Sequence, residues 1–305
     1  MTVLFAGADA GASHTEVVIA DGTLRVLGRA RGAAGAVTPG HAAVAGRAIV
    51  ATVREALTDA KRSDRPAVLV VGAAGTGREA ERRALFGALE EARVAERVEI
   101  TTDAAIALES VFHQEPGMLL NAGSGSIAYA RDRSGVVWRA GGLGWQFGDE
   151  GSGYALGRAA LGAVSRAADG RGPPTGLSDA VAREVGGESL DDLVRWTSAA
   201  GPGAIAGLAH VVQQAARAGD AVAVELVRTA GRDLADHVVT LLGRFPPEMV
   251  VPLALAGGIL TPGNPVREEL LALLTERAPR VSVANQAVDP PRGALALAAR
   301  LQAAR

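Results

Sequence analysis

Residues 117–142 read GMLLNAGSGSIAYARDRSGVVWRAGG, and residues 3–32 read VLFAGADAGASHTEVVIADGTLRVLGRARG. Both segments divide in the same way. In the later one, GMLLNAG (117–123) predicts a buried strand and SGSIAYARD (124–132) a second strand after a turn of small residues. GVVWRAGG (135–142) predicts a third, after a turn from Asp132 to Gly135. In the earlier one, VLFAGA (3–8), SHTEVVIAD (13–21) and LRVLGRARG (24–32) form the same meander, with Asp21–Gly22 as a strong hairpin signal. The repeat is one of architecture, carried by pattern and not by residue identity.

Outward from each meander, strands alternate with helices. The first half continues with a helix at 41–60, a strand AVLVVG (67–72), a helix at 78–92, a strand VEIT (98–101) and a helix from Asp103 to about Val111. The second half is mainly helical over 149–243, with one long helix at about 220–242. It closes with a strand VVPLALAG (250–257), a helix at 266–277, a strand RVSVA (280–284) and a final helix after Pro291. Strands and helices alternating twice argue for two α/β domains. The 305 residues fit that count at roughly 100–200 residues per domain.

Composition removes several function classes. With 31 Lys+Arg against 33 Asp+Glu, a net charge of -2 offers no field to hold a polyanion, so nucleic acid is not an expected partner. There is no cysteine, which excludes disulfides, thiol catalysis, Cys-ligated zinc and iron–sulfur clusters. Lysine occurs once, at Lys61 in the polar stretch DAKRSDRP, so a Walker A or Schiff-base lysine is not expected. MTVLFAGADAG lacks a basic start and a long apolar core, and no segment reaches about 18 uninterrupted apolar residues. The expectation is a cytoplasmic protein without a membrane partner.

Three turns carry the chemistry. Asp9-Ala10-Gly11-Ala12-Ser13-His14-Thr15 places a carboxylate at a strand end ahead of small residues and two hydroxyls. Small residues let backbone amides approach an anion, and a carboxylate beside phosphate makes sense when a divalent metal stands between them. Asn121-Ala122-Gly123-Ser124-Gly125-Ser126 occupies the equivalent turn with no acid, suited to phosphate oxygens through amides and hydroxyls alone. Ala256-Gly257-Gly258-Ile259 links a strand to a helix and suits close packing of a flat group. Singly, each is equally an ordinary connection; three in one chain, within a duplicated plan, are not. Two acidic sites join them. Asp103 opens a helix as TTDAA, where a helix cap is the plain alternative. Asp149 and Glu150 stand among glycines in GDEGSG, where capping and solvated charge compete with a binding role.

On these turns, and on GMLLNAGSGSIAYARD, AGGLGWQFGDEGSGYALGRAAL and AADGRGPPT, the chain resembles the actin-like ATPase and sugar kinase superfamily. Within it, the chain resembles the N-acetylglucosamine and glucosamine kinase group related to the BadF/BadG/BcrA/BcrD ATPases. The resemblance implies two duplicated actin-like (ribonuclease H-like) α/β domains around a nucleotide-binding cleft. These would be 1–115, joined by a C-terminal helix 292–305, and 116–291 with a helical insertion. It implies ATP and Mg2+ as cofactors, and phosphorylation of an amino sugar, N-acetylglucosamine or glucosamine, at the 6-hydroxyl. Asp103 becomes the base at that hydroxyl. Asp9 holds Mg2+, directly or through water, and Gly11, Ser13, Thr15, Gly123, Ser124, Gly125, Ser126, Gly257 and Gly258 hold the nucleotide. Gly141, Gly142, Trp145, Asp149 and Glu150, with Asp103, face the sugar. A homodimer is compatible with the resemblance, although nothing in the sequence marks an interface.

The departures bear on the substrate. The first turn has Ala10 and Ala12 where the family usually has glycines. The loop after the third strand, 32–37, holds no asparagine for the sugar, and Leu143 replaces the usual aromatic, with Trp145 two positions on. The five histidines (14, 41, 113, 210, 237) show no metal-ligand spacing and read as structural or solvent-facing; only His14 could touch phosphate. Two other readings stay open: a silent nucleotide or sugar sensor of the same fold, and an ATPase acting on another acceptor. An activator of a radical dehydratase would need cysteines that are absent.

Overall fold

Two short runs, LFAGADA and VLVVGA, are almost entirely buried and so take the centre of the first sheet. In the computed structural model, which describes residues 3–304, the chain forms two units. One comprises the residues up to Glu115 together with those from Gln286 onward, and the other Pro116–Asn285.

The first unit contains β1 (Leu4–Ala10), β2 (Thr15–Asp21), β3 (Val26–Gly32), α1 (Ala42–Asp59), β4 (Val68–Ala73), α2 (Glu79–Glu91), β5 (Arg97–Thr101) and α3 (Asp103–Phe112). Its sheet runs β3-β2-β1-β4-β5, antiparallel through the meander and parallel from β1 to β5. Side chains alternate across a strand. Leu4, Ala6, Ala8 and Ala10 therefore face α1 and α2 with Val17, Ile19, Ile49 and Leu85. Phe5, Val18 and Val70 face the opposite layer with Ile106 of α3 and Leu295 of the last helix. Asp9 pairs with Glu16 across β1 and β2, and Ala10 with Thr15. The acids thus belong to the second face, and Thr15 to the first.

The second unit contains β6 (Gly117–Ala122), β7 (Ser126–Arg131), β8 (Val137–Gly141), α4 (Gly153–Ala168), α5 (Leu177–Val185), α6 (Leu190–Ala199), α7 (Pro202–Gly207) and α8 (Ala209–Arg217). It continues with α9 (Ala221–Leu242), β9 (Val251–Ala256), a 3-10 turn Gly258–Leu260, α10 (Pro265–Arg277) and β10 (Val281–Val283); α11 (Pro290–Ala303) returns to the first unit. Its sheet runs β10-β9-β6-β7-β8. Strand for strand, that is the order of the first sheet, so the duplication expected from the meanders is present.

The hairpin turns show the repeat at atomic detail and correct one expectation. The first is not a two-residue Asp21–Gly22 turn but a three-residue loop closed by Asp21 N–H donating to Arg25 O at 3.1 Å. Its left-handed residue is Leu24, at φ 63°. The second loop is closed by Asp132 N–H donating to Val136 O at 3.1 Å, with Gly135 at φ 84°. Each aspartate also accepts from the backbone and hydroxyl of the residue two positions on, Thr23 or Ser134. Those hydroxyl bonds hold both carboxyls down at about 2. Among the described residues, no helix is long and apolar enough to cross a membrane.

Candidate active site

In the first unit, four acids stand near one another on the α3 and α11 face: Asp9, Glu16, Asp103 and Asp289. Arg29 of β3 divides them. Its Nε lies 3.1 Å from Glu16 Oε1 and its Nη2 2.6 Å from Asp289 Oδ1. No ion pair among the described residues involves Asp9 or Asp103. Burial first, and then the charges of Asp103, Glu16 and Asp289, push the Asp9 carboxyl up to about 7. Burial also raises Asp103, partly offset by the N–H of Ala104, which donates to Asp103 Oδ1 at 2.9 Å.

Asp103 is not the cap residue of α3. That place belongs to Thr102, whose hydroxyl accepts from Ala105 N at 3.2 Å, and Asp103 occupies the first helical position with Oδ1 taking the Ala104 N–H. Gly11 is committed to the fold: its N–H donates to His14 O, and its carbonyl accepts from Gly35 and Ala36 of the loop after β3. Ala12 and Ser13 are exposed beside it. Thr15, by contrast, is fully buried, with its hydroxyl unpartnered and directed at Gly35, on the face away from Asp9. His14 contacts Arg31, its Nδ1 3.2 Å from Arg31 Nη2.

In the second unit, the turn after β6 is bound to the segment before α4. Gly153 N–H donates to Gly123 O at 2.8 Å and Tyr154 N–H to Ser124 O at 3.1 Å. Ser126, named above for its hydroxyl, is buried and donates that hydroxyl to Glu150 O at 2.6 Å. The exposed hydroxyl of the turn belongs to Ser124. Ser126 N–H reaches Asp149 Oδ1 at 3.4 Å, and a Cβ on Gly125 would lie 2.7 Å from Asp149 Oδ2, so the carboxylate lies across the turn. Capping fails here too, because Ser152 caps α4 and accepts from Ala155 N at 3.2 Å. Asp149 takes a left-handed backbone, φ 60°, which is costly for a residue other than glycine. Burial raises its carboxyl, against donation from Ser126 N–H.

The loop from β8 to α4 carries the remaining named residues. Gly141 and Gly142 have φ of 68° and 70°, and a Cβ on either would strike His237 or Ile127. Trp145 packs edge-on against Tyr154 at 5.4 Å and remains half-exposed, and Phe147 is largely exposed. Gly257, at φ 92°, passes so close to Ala122 that only glycine fits, whereas Gly258 faces open space. The sequence does not single out Arg29, and His237 reads there only as one of five structural or solvent-facing histidines. Both act across the sheet or from a distant helix, and only the alternation of β3 could have placed Arg29 with Glu16.

A family profile matches residues 6–298, a span that takes in every one of these segments. The chain belongs to the BadF/BadG/BcrA/BcrD ATPase family. It is 29% identical over 235 residues to the N-acetylmuramic acid/N-acetylglucosamine kinase of Clostridium acetobutylicum, covering 75% of this chain and 76% of that protein. It is 30% identical over 206 residues to the N-acetyl-D-glucosamine kinase of Dictyostelium discoideum, covering 65% and 64%. Among solved structures, a candidate N-acetylglucosamine kinase from Chromobacterium violaceum superimposes with a TM-score of 0.79 at 30% identity, over 97% of this chain and 98% of that one. The ROK family glucokinase of Streptomyces griseus, at 18% identity and a TM-score of 0.59, shares the fold. As a member of this ATPase family, the protein has the two-domain α/β architecture of the actin-like sugar kinases.

Proposed function

We propose that this chain is an ATP-dependent kinase that transfers the γ-phosphoryl group to a hydroxyl of an amino sugar, N-acetylglucosamine or glucosamine, at C6. The observation that carries the reading is the pair Asp9 and Asp103: two half-buried acids on one face of the first sheet, without an ion-pair partner among the described residues while Arg29 engages the two acids beside them. In support, relatives at about 30% identity are named as kinases of N-acetylated amino sugars.

Asp103 is assigned to the sugar hydroxyl, which it orients and from which it takes the proton. Phosphoryl transfer has a loose transition state, so positioning accounts for most of its effect and proton removal comes late. Asp9 fits a magnesium ion. Its carboxylate is partly desolvated, lacks a counter-charge, and has a neighbouring acid in Asp103, and Mg2+ in phosphoryl-transfer sites typically takes one or two carboxylates with the remainder from phosphate and water. Bound there, the ion would offset the charge of the phosphates. The exposed Ala12–Ser13 stretch and the exposed Ser124 turn are assigned to phosphate oxygens. Asp149 and Glu150 are assigned to sugar hydroxyls, which carboxylates accept well, and Gly258 to the space beside the adenosine.

ADP release from Mg-ATP should be measured with N-acetylglucosamine, glucosamine, N-acetylmannosamine, N-acetylmuramic acid and glucose. Turnover with an amino sugar is expected, reduced about 10²–10⁴-fold by Asp103→Asn with the fold intact. ATP binding without turnover on any sugar would favour a sensor, and the reading would fall.

A further inference from the structure

The loop that presents Asp149 and Glu150 rests on one face of α9. Gly141, at its start, leaves room for His237: a Cβ there would stand 2.6 Å from His237 Nε2. Gly151, at its end, packs on Leu234 Cγ and Ala230 O, where a Cβ would stand at 2.6 and 2.7 Å. Ala230, Leu234 and His237 are spaced four and three residues apart, which is one helix face. Five positions between these ends, Gly141, Gly142, Gly144, Asp149 and Gly151, have positive φ. The loop's shape is therefore fixed by backbone conformations that few other residues adopt, over a floor made by the Leu234 and His237 side chains and the Ala230 carbonyl of α9.

Within that floor, His237 is the polar member. Its side chain is only 11% exposed, and its Nδ1 is buried with no hydrogen-bond partner in the protein. The other nitrogen, Nε2, lies 3.7 Å from Glu150 Oε2. Glu150 itself is half-exposed, so one carboxylate oxygen is turned toward the imidazole while the side chain still reaches solvent. Asp149 in the loop and Asp233, one turn earlier on α9, are the further acids in electrostatic reach of the same ring. A packing residue alone would not need a polar ring beside Leu234. An imidazole at this place supplies bulk under Gly141 and sets a ring nitrogen 3.7 Å from the Glu150 carboxylate.

We propose that His237 is a positioning residue for the sugar acceptor: through Nε2 it fixes the carboxylate of Glu150, and with it the aim of the loop acids. The proposal rests on the assignment of Asp149 and Glu150 to the sugar. It predicts a separation of kinetic constants, because a group that acts through Glu150 touches the acceptor and not the nucleotide.

The test uses the full chain with Mg-ATP and the amino sugar of the panel that is turned over, comparing His237→Phe, His237→Gln, Glu150→Gln and the double variant His237→Phe/Glu150→Gln. His237→Phe keeps the bulk and removes the donor. The sugar KM should rise about tenfold or more, the scale of one lost contact to a charged group, with kcat and the ATP KM within about twofold. His237→Gln, which keeps a donor, should recover most of the loss. The double variant should be no worse than Glu150→Gln alone, since both changes remove one interaction. Three outcomes overturn the proposal: Glu150→Gln raises the sugar KM while His237→Phe does not; the losses of the two single variants multiply; or Phe and Gln impair kcat and both KM values together. If Glu150→Gln leaves the sugar KM unchanged, or no sugar is turned over, the underlying assignment fails first and the proposal with it.

Discussion

The ionised form of Asp9 is disfavoured in the folded chain. Its carboxyl is raised from 3.8 to about 7, so between those values the folded chain keeps a proton that the unfolded chain releases. The folded state therefore loses stability from this group as pH rises from about 4 to about 7, and the penalty is complete above that. Replacing Asp9 by Asn removes the charge at similar size. In chelator-treated protein, the variant should melt higher than the parent at pH 8, by a margin that shrinks as pH falls and vanishes near pH 4. Thermal melts of the two proteins at matched pH read this directly, and equal melting temperatures at pH 8 would mean that the burial of Asp9 carries no strain. Asp21 and Asp132 work in the opposite direction. Their lowered carboxyls stabilise the fold above about 4, and that contribution disappears as pH falls through about 2, so the two windows do not overlap.

At the level of elements, the paired hairpin turns invite a direct exchange. Leu24 occupies a left-handed position at a cost of about 1–2 kcal/mol, whereas Gly135 takes the same position in the other unit without obstruction. Leu24→Gly gives up little burial, since the side chain is already exposed, and loses about 0.5–1 kcal/mol to the greater freedom of glycine in the unfolded chain. Urea denaturation should show a net gain of about 0.5 kcal/mol for Leu24→Gly and a loss of about 1 kcal/mol for Gly135→Leu; changes of the same sign would contradict the equivalence of the turns. These turns also mark the limit of what the sequence discloses. The strands were legible because apolar runs and alternation are local, and the acids at their ends were legible as charges where a strand meets a helix. Leu24 carries no local sign of its φ, so DGTL reads as a glycine turn. Ser126 looks like a free hydroxyl beside glycines until the carbonyl of Glu150, 24 residues on, accepts its hydrogen bond. His237 lies 86 residues from the nearest end of the loop it packs against, at Gly151, and no period in the sequence relates them.

For the molecule as a whole, the decisive feature is that the first unit is assembled from both ends of the chain. Its second sheet face is closed by α3 and α11 together. Only glycine fits at Gly7 of β1, beneath Pro291 and Leu295, and at Gly293 of α11, against Ile106 and Ser110, so the helix lies almost on the backbone of its neighbours. Arg29 fastens the start of α11 through Asp289, whose N–H also donates to Ser110 Oγ at 3.3 Å. Without α11, Phe5, Val18, Val68 and Val70 would lose much of their cover, and Leu295 and Ala298 would no longer be buried. At about 1.5–3 kcal/mol for each large side chain buried, that loss is on the order of 10 kcal/mol, comparable to the 5–15 kcal/mol that stabilises a typical domain. The second unit is continuous from Pro116 to Asn285 and has its own core. A fragment of residues 116–285 should therefore melt cooperatively by itself. A fragment of residues 1–115 should not, and should regain a cooperative transition when residues 286–305 are co-expressed with it. A cooperative melt for residues 1–115 alone would show that α3 closes the face unaided, and that α11 adds only to a sheet already stable.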